Sequence, residues 1–141
     1  APAAMRLAFR LGLLRPWGPK VWHTWHGKLF ATTPEGHEQH RAEVRAALAR
    51  PAYWQSFIAT THLSHAPVEA RLPEVTAPTL VVMGERDPDF RDPKAEADWI
   101  AKHLAAEQVM VPDSGHYPQA ERPELVTPAI LDFLARVGAG A

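Results

Sequence analysis

Val75–Phe90 reads VTAPTLVVMGERDPDF, and Glu107–Glu124 reads EQVMVPDSGHYPQAERPE. Each stretch carries a short apolar run rich in β-branched residues and closes in a loop of glycine, proline and charged residues. Thr79–Met83 and Gln108–Val111 are therefore read as strands. The unbroken apolar character of the first is that of a parallel strand covered on both faces. Between them Asp92 and Pro93 supply a cap and a first-turn proline for a helix whose buried stripe is Ala97, Ile100, Ala101 and Leu104. Thr127 and Pro128 give the same start signal for a last helix, with Ile130, Phe133, Leu134 and Val137 facing inward and Gly138 as its stop. Strand, helix, strand, helix is the order of two parallel neighbours joined by a right-handed crossover. Two strands alone do not make a stable sheet.

In parallel α/β sheets the working residues gather beyond the carboxyl ends of the strands. Asp87 stands just past the first strand, and His116 just past the second, twenty-nine residues later. Adjacent strands would bring the two loops side by side. A carboxylate there can accept a hydrogen bond from one imidazole nitrogen and leave the other free to take a proton. Asp89 and Asp92 share the loop with Asp87, but Asp92 is better used as a helix cap. Asp113 is read as a turn residue. Either member of the Asp87 and His116 pair alone would be an ordinary surface residue; the two in register with their strands point to a triad.

Residues 1–70 contain no strand candidate and read as helices punctuated by proline and glycine. Met5, Ala8, Phe9 and Gly12 share one face, as do Trp22, Trp25, His26 and Leu29 after Pro19. Thr33 and Pro34 predict the start of a third helix, with His40, Val44, Ala47 and Leu48 on its inner stripe and an end before Pro51. Trp54, Phe57, Ile58 and Thr61 mark a fourth, which fades in the loop from Ser64 to Pro67. The plain reading of Trp22, Trp25, Trp54 and Phe57 is packing between short helices. The functional reading is a substrate-binding lid whose rings line an apolar pocket. Both can hold at once.

The sequences APTLVVMGERD and SGHYPQAERPE closely resemble the acid and histidine loops in the carboxyl-terminal half of α/β-hydrolase-fold proteins, of the kind with a helical lid ahead of the last two strands. With the lid, the resemblance covers nearly the whole chain. It implies a partial α/β-hydrolase fold: a helical lid or cap over residues 1–70, then a β-α-β-α unit with two parallel strands over 71–141. It also implies that Asp87, three residues after Gly84, orients His116 as general base. The expected parent is an esterase-like serine hydrolase of small, fairly apolar substrates. The family's nucleophile sits in a G-x-S-x-G turn, and no such motif occurs here. Ser56, Ser64 and Ser114 all lack the flanking glycines, and the strand-to-helix elbow that would supply an oxyanion amide is missing. About half of the expected single-domain length is therefore read as absent, and the isolated chain is expected to be inactive.

Two other readings stay open. One is a non-catalytic ligand-binding or interaction protein that kept the fold. The other is a haloalkane or epoxide hydrolase with an upstream aspartate nucleophile, for which Tyr53 and Tyr117 are the available phenols. No cofactor is expected. The histidine pairs His23/His26, His37/His40 and His62/His65 are spaced three apart, not the four of the zinc-protease helix motif that HEQHR resembles, so no metal site is assigned. Partners are expected to be a small-molecule substrate and another chain, or the missing amino-terminal half, covering the exposed edge of the Thr79–Met83 strand.

The formal net charge of −1 over 141 residues argues against general nucleic-acid or membrane-surface binding. Residues 1–34 carry five bases and no acid, whereas residues 73–141 carry twelve acids against six bases. Zero cysteines rule out disulfides and thiolate zinc sites and fit a reducing compartment. No apolar run approaches the roughly 18–20 residues a membrane span needs. A soluble, cytoplasmic protein is therefore expected. A mitochondrial presequence in AAMRLAFRLGLLR is disfavoured because no serine precedes Ser56. A start at Ala1 instead of methionine suggests a processed, excised or incomplete chain.

Overall fold

The computed structural model describes residues 8, 9 and 11–138. They form two compact units. One comprises the chain up to Lys28 together with Gly36–Ser64; the other comprises Leu29–Glu35 together with the chain from His65 onward. Relative to a single boundary at residue 70, the short segment Leu29–Glu35 is exchanged into the second unit.

In the first unit, α1 (Gly18–Lys28), α2 (His37–Ala49) and α3 (Pro51–Thr60) follow one another. Ala8, Phe9, Leu11 and Gly12 are helical as expected, while Met5 lies outside the described residues. Leu13, Leu48 and Trp54 are buried together, with Trp22, Val44, Phe57 and Ile58 packed against them. The Trp22 and Phe57 rings lie 4.5 Å apart, and Trp54 and Phe57 5.3 Å. Of the expected stripe His26 and Leu29 are buried, but Trp25 is 40% exposed and His23 is buried in its place. Polar partners on α2 decide this: His23 bonds the Arg41 carbonyl through Nε2 at 3.1 Å and meets the Arg41 guanidinium through Nδ1 at 3.4 Å. Gly27 gives the guanidinium room, since a Cβ there would stand 2.0 Å from Arg41 Nη1.

The Thr33–Pro34 start signal is not used. Helix α2 begins at His37 behind Gly36, which sits in the left-handed region at φ 72° with no side-chain cap. The physical reason is that Thr32 spends its amide and hydroxyl on Glu121, so a tertiary contact holds this segment out of the helix. On α2 it is His37 that is buried and His40 that is exposed, although Leu48 keeps its expected place. Helix α3 matches its expected stripe, with Trp54 buried and Phe57, Ile58 and Thr61 half-buried.

The second unit runs α4 (Ala66–Glu69), a 3₁₀ turn (Leu72–Glu74), β1 (Leu80–Gly84), α5 (Pro93–Leu104), β2 (Glu107–Val111), α6 (Pro118–Glu121) and α7 (Pro123–Gly138). Thus the expected loop from Ser64 to Pro67 already enters a short helix. Strands β1 and β2 pair in parallel, from Leu80 opposite Glu107 to Gly84 opposite Val111. Both α5 and α7 pack on both strands. Burial is complete only toward the carboxyl ends, at Met83, Gly84 and Val111, and Leu80–Val82 are half-buried. Among the described residues, the expectation of a covered strand is therefore met only at its carboxyl end.

Helix α5 is built as its sequence dictates. Asp92 accepts the Ala95 amide at 3.0 Å, Pro93 stands in the first turn, and Ala97 is fully buried. Helix α7, in contrast, begins five residues before the Thr127–Pro128 signal and carries Pro128 inside it. The Arg122 carbonyl accepts from Leu125 at 3.0 Å and Val126 at 3.1 Å, and Val126 is buried. The helix is thus nucleated from Pro123 before the chain reaches Pro128, whose missing amide and ring clash cost about 3 kcal/mol in a helix interior. Of its expected stripe, Phe133 and Val137 are half-buried, while Ile130 and Leu134 are exposed.

Candidate active site

The β1–β2 ladder does not stop at the strand ends. The Glu85 amide donates to the Val111 carbonyl at 3.0 Å and the Arg86 amide to the Ser114 carbonyl at 2.9 Å. The two loops are thereby laced together where the chain delivers Asp87 on one side and His116 on the other. His116 Nδ1 lies 2.8 Å from Asp87 Oδ2. A carboxylate can only accept, so Nδ1 carries the proton and the neutral ring presents its lone pair at Nε2. Among the described residues Nε2 has no hydrogen-bond partner.

Asp87 is 5% exposed. Its Oδ1 accepts the Asp89 amide at 2.9 Å, which fixes the carboxylate plane. Asp89 Oδ2 stands 3.6 Å from His116 Nδ1, beyond hydrogen-bond reach. Asp92 is the α5 cap, and Asp113 is a turn residue at φ 52° facing Arg86. Of the acids in these loops, Asp87 alone bonds the imidazole.

Neighbouring aromatics fix the other side of the histidine. The Tyr117 ring meets His116 edge-on at 5.1 Å and 89°, and stacks on Phe30 at 4.7 Å. Burial first, then the Asp89 and Asp87 carboxylates, push the Tyr117 phenol above its ordinary value, so it stays protonated through the neutral range.

The His116 loop is held from below. The His116 amide donates to the Leu29 carbonyl at 2.8 Å, and the Gly115 amide to Glu121 Oε1 at 2.8 Å. Ser114 is fully buried, and its hydroxyl lies 3.3 Å from the Val111 carbonyl. That is the position of a structural serine, not of an exposed nucleophile. Thr32, Gly115 and Glu121 have no role of their own in the sequence pattern, and Leu29 enters it only as part of a helix stripe. Their partners lie up to 89 residues away in the chain, and no local periodicity announces such contacts.

Trp22, Trp25, Trp54 and Phe57 all belong to the first unit. Trp54 borders a cleft of about 450 Å³ with Leu13, Gln55 and Ile58, and Trp25 borders one of about 360 Å³ with Lys20 and Val21. The histidine pairs of α1 and α2 lie in the same unit as Arg41, whose guanidinium only donates, so the 3.4 Å contact has His23 Nδ1 as its acceptor. Among the described residues, the three ligating side chains whose atoms fall within 4.8 Å of one another are Asp87, Asp89 and His116.

Buried His26 is depressed below 6.5, by desolvation first and then by His40, Arg41, His23 and His37. A depressed folded-state value means that stability is fully present above 6.5 and is lost as pH falls through the folded value. The first unit should therefore lose thermal stability as pH falls below 6.5, and His26→Asn should flatten that slope. Circular dichroism melts across this range provide the check, and an unchanged slope in the variant would count against the cluster as its source.

No family model matches the chain. Among curated proteins it is similar to a poly(3-hydroxyalkanoate) depolymerase of Ectopseudomonas oleovorans, at 30% identity over 115 residues, covering 79% of this chain and 37% of that protein. Among solved structures it superposes on a 2-hydroxy-6-oxo-6-phenylhexa-2,4-dienoate hydrolase of Rhodococcus sp. strain RHA1 with a TM-score of 0.68 at 18% identity, covering 92% of this chain and 47% of that one. A membrane phospholipase A, described as a bacterial virulence factor, superposes with a TM-score of 0.63 at 22% identity, covering 84% and 38%. The chain spans less than half the length of each of these relatives.

Proposed function

We propose that this chain, which has the α/β-hydrolase fold and corresponds to its carboxyl-terminal part, contributes the acid and the base of a hydrolytic triad. The observation that carries the reading is the 2.8 Å contact between Asp87 and His116, delivered from the ends of two adjacent parallel strands. Asp87 holds the imidazole in the tautomer that leaves Nε2 basic. Nε2 removes the proton of a nucleophile hydroxyl as it attacks the acyl carbon, then gives that proton to the leaving group. In the second half of the cycle the same nitrogen takes a proton from the water that cleaves the acyl-enzyme. The nucleophile and the oxyanion amides belong to parts of the hydrolase outside these 141 residues.

The substrate class that fits is a small, fairly apolar ester or related acyl compound, with Trp22, Trp25, Trp54 and Phe57 of the first unit as the candidate substrate-binding residues. The material in the depolymerase's name is a polyester, which agrees with ester chemistry. Half-buried Leu80–Val82 favour a covering partner, either the rest of the hydrolase or another chain. No described helix is long and apolar enough to cross a membrane, and the lack of cysteine favours a reducing, cytoplasmic setting. The 141-residue chain alone should show no labelling by a fluorophosphonate probe, whereas the complete hydrolase should label at one serine. Stoichiometric labelling of the short chain would refute the assignment of the nucleophile.

A further inference from the structure

Glu121 has no part in the chemistry above, yet it is a carboxylate only 8% exposed. Such a group is costly to bury unless charge-assisted hydrogen bonds offset the lost hydration. Three donors do so here: the Gly115 amide on Oε1 at 2.8 Å, and the Thr32 amide and hydroxyl on Oε2 at 2.6 and 3.0 Å. Gly115 adjoins His116. Thr32 lies in the segment whose Leu29 carbonyl accepts the His116 amide. The next residue, Arg122, reaches the other end of the same loop and donates to the Pro112 carbonyl at 3.0 Å.

We infer that Glu121 is a positioning residue for His116: its two oxygens bind the histidine loop and the Leu29–Thr32 segment to each other and so set where the imidazole stands. The role rests on the reading of His116 as the base, although the contacts themselves do not. The geometry leaves little play. A Cβ on Gly115 would lie 2.2 Å from the Leu29 carbonyl oxygen, so loop and segment are already at closest approach. A carboxylate is required because both of its oxygens accept. In Glu121→Gln one oxygen becomes an NH₂. The remaining oxygen is best satisfied by the two Thr32 donors, which leaves the Gly115 amide facing another donor.

The test uses ¹⁵N-labelled 141-residue chain. Glu121→Gln should speed hydrogen exchange at Gly115 and His116 by about 10- to 100-fold. It should also shift or broaden the His116 Nδ1 proton signal, while the Val81 and Val109 amides, which face the partner strand, keep their protection. Thr32→Val, which removes only the hydroxyl donor, should give a smaller change at the same residues, and it decides the matter if Glu121→Gln does not fold. An unchanged Nδ1 signal in folded Glu121→Gln overturns the inference, as does a uniform loss of protection across β1 and β2, or no change in Thr32→Val where that variant must decide. Because the readout is the histidine's own proton, this result is separate from catalysis. Normal turnover in His116→Ala would defeat the base assignment and leave the placement result standing.

Discussion

In the complete hydrolase, His116→Ala is expected to lower kcat by about 10⁶-fold and Asp87→Ala by about 10⁴-fold, the scale of losses when a triad base or its orienting acid is removed. The asymmetry follows from the roles proposed for them. His116 carries the proton in both halves of the cycle, so nothing replaces it. Asp87 only fixes the tautomer and stabilises the imidazolium, so its loss leaves a ring that is correctly protonated part of the time. Asp87→Asn should be as damaging as Asp87→Ala although it is closer in shape. The amide can turn its NH₂ toward Nδ1, which places the ring proton on Nε2, the wrong nitrogen. Asp89 adds a finer expectation. With its Oδ2 3.6 Å from His116 Nδ1, it can move in when Asp87 is truncated, so Asp87→Ala/Asp89→Ala should fall below Asp87→Ala, while Asp89→Ala alone should stay near wild type. Steady-state hydrolysis of a short-chain aryl ester measures all of these. Normal turnover in His116→Ala or in Asp87→Ala would remove that residue from the triad.

What the sequence carried about this site, and what it could not, divides along the range of the interactions. The meeting of Asp87 with His116 was legible because strand periodicity and the strand-end rule are local signals, and two local signals in register imply a third dimension. The Asp92–Pro93 cap was legible for the same reason, since its partner is three residues away. Thr33–Pro34 and Thr127–Pro128 are equally good local signals that lost to competitors: in one, a carboxylate far along the chain claims the neighbouring Thr32, and in the other an earlier proline had already started the helix. On α1 the spacing fits Trp25 as well as His23, and only Arg41, brought in by α2, selects the histidine face. Glu121 had no signal of its own, because a buried carboxylate reads as a surface one until its three donors are placed around it.

Gly84→Ala is expected to be the most damaging single-methyl substitution in the second unit, costing about 3–4 kcal/mol and lowering Tm by roughly 10 °C. Gly84 ends β1 opposite Val111. A Cβ there would stand 2.0 Å from the Gly115 carbonyl oxygen, 2.6 Å from that of Ser114 and 2.8 Å from Ser114 Oγ. The two closest of these are backbone atoms, and Ser114 is fully buried, so no flexible side chain can swing aside to make room. Relief requires the strand end and the histidine loop to part by about an ångström, which breaks the Glu85 and Arg86 amide bonds that lace the loops and pulls Asp87 from His116. Gly36→Ala is the informative contrast. At φ 72° it is strained, but nothing lies within 4 Å of the added methyl, so its cost should stay near 1 kcal/mol. Gly84→Ala should also abolish the Nδ1 proton signal of His116, which Gly36→Ala should leave in place. A Gly84→Ala chain that melts within about 2 °C of the parent would mean that the closeness of β1 to the histidine loop is not what holds the acid and the base together.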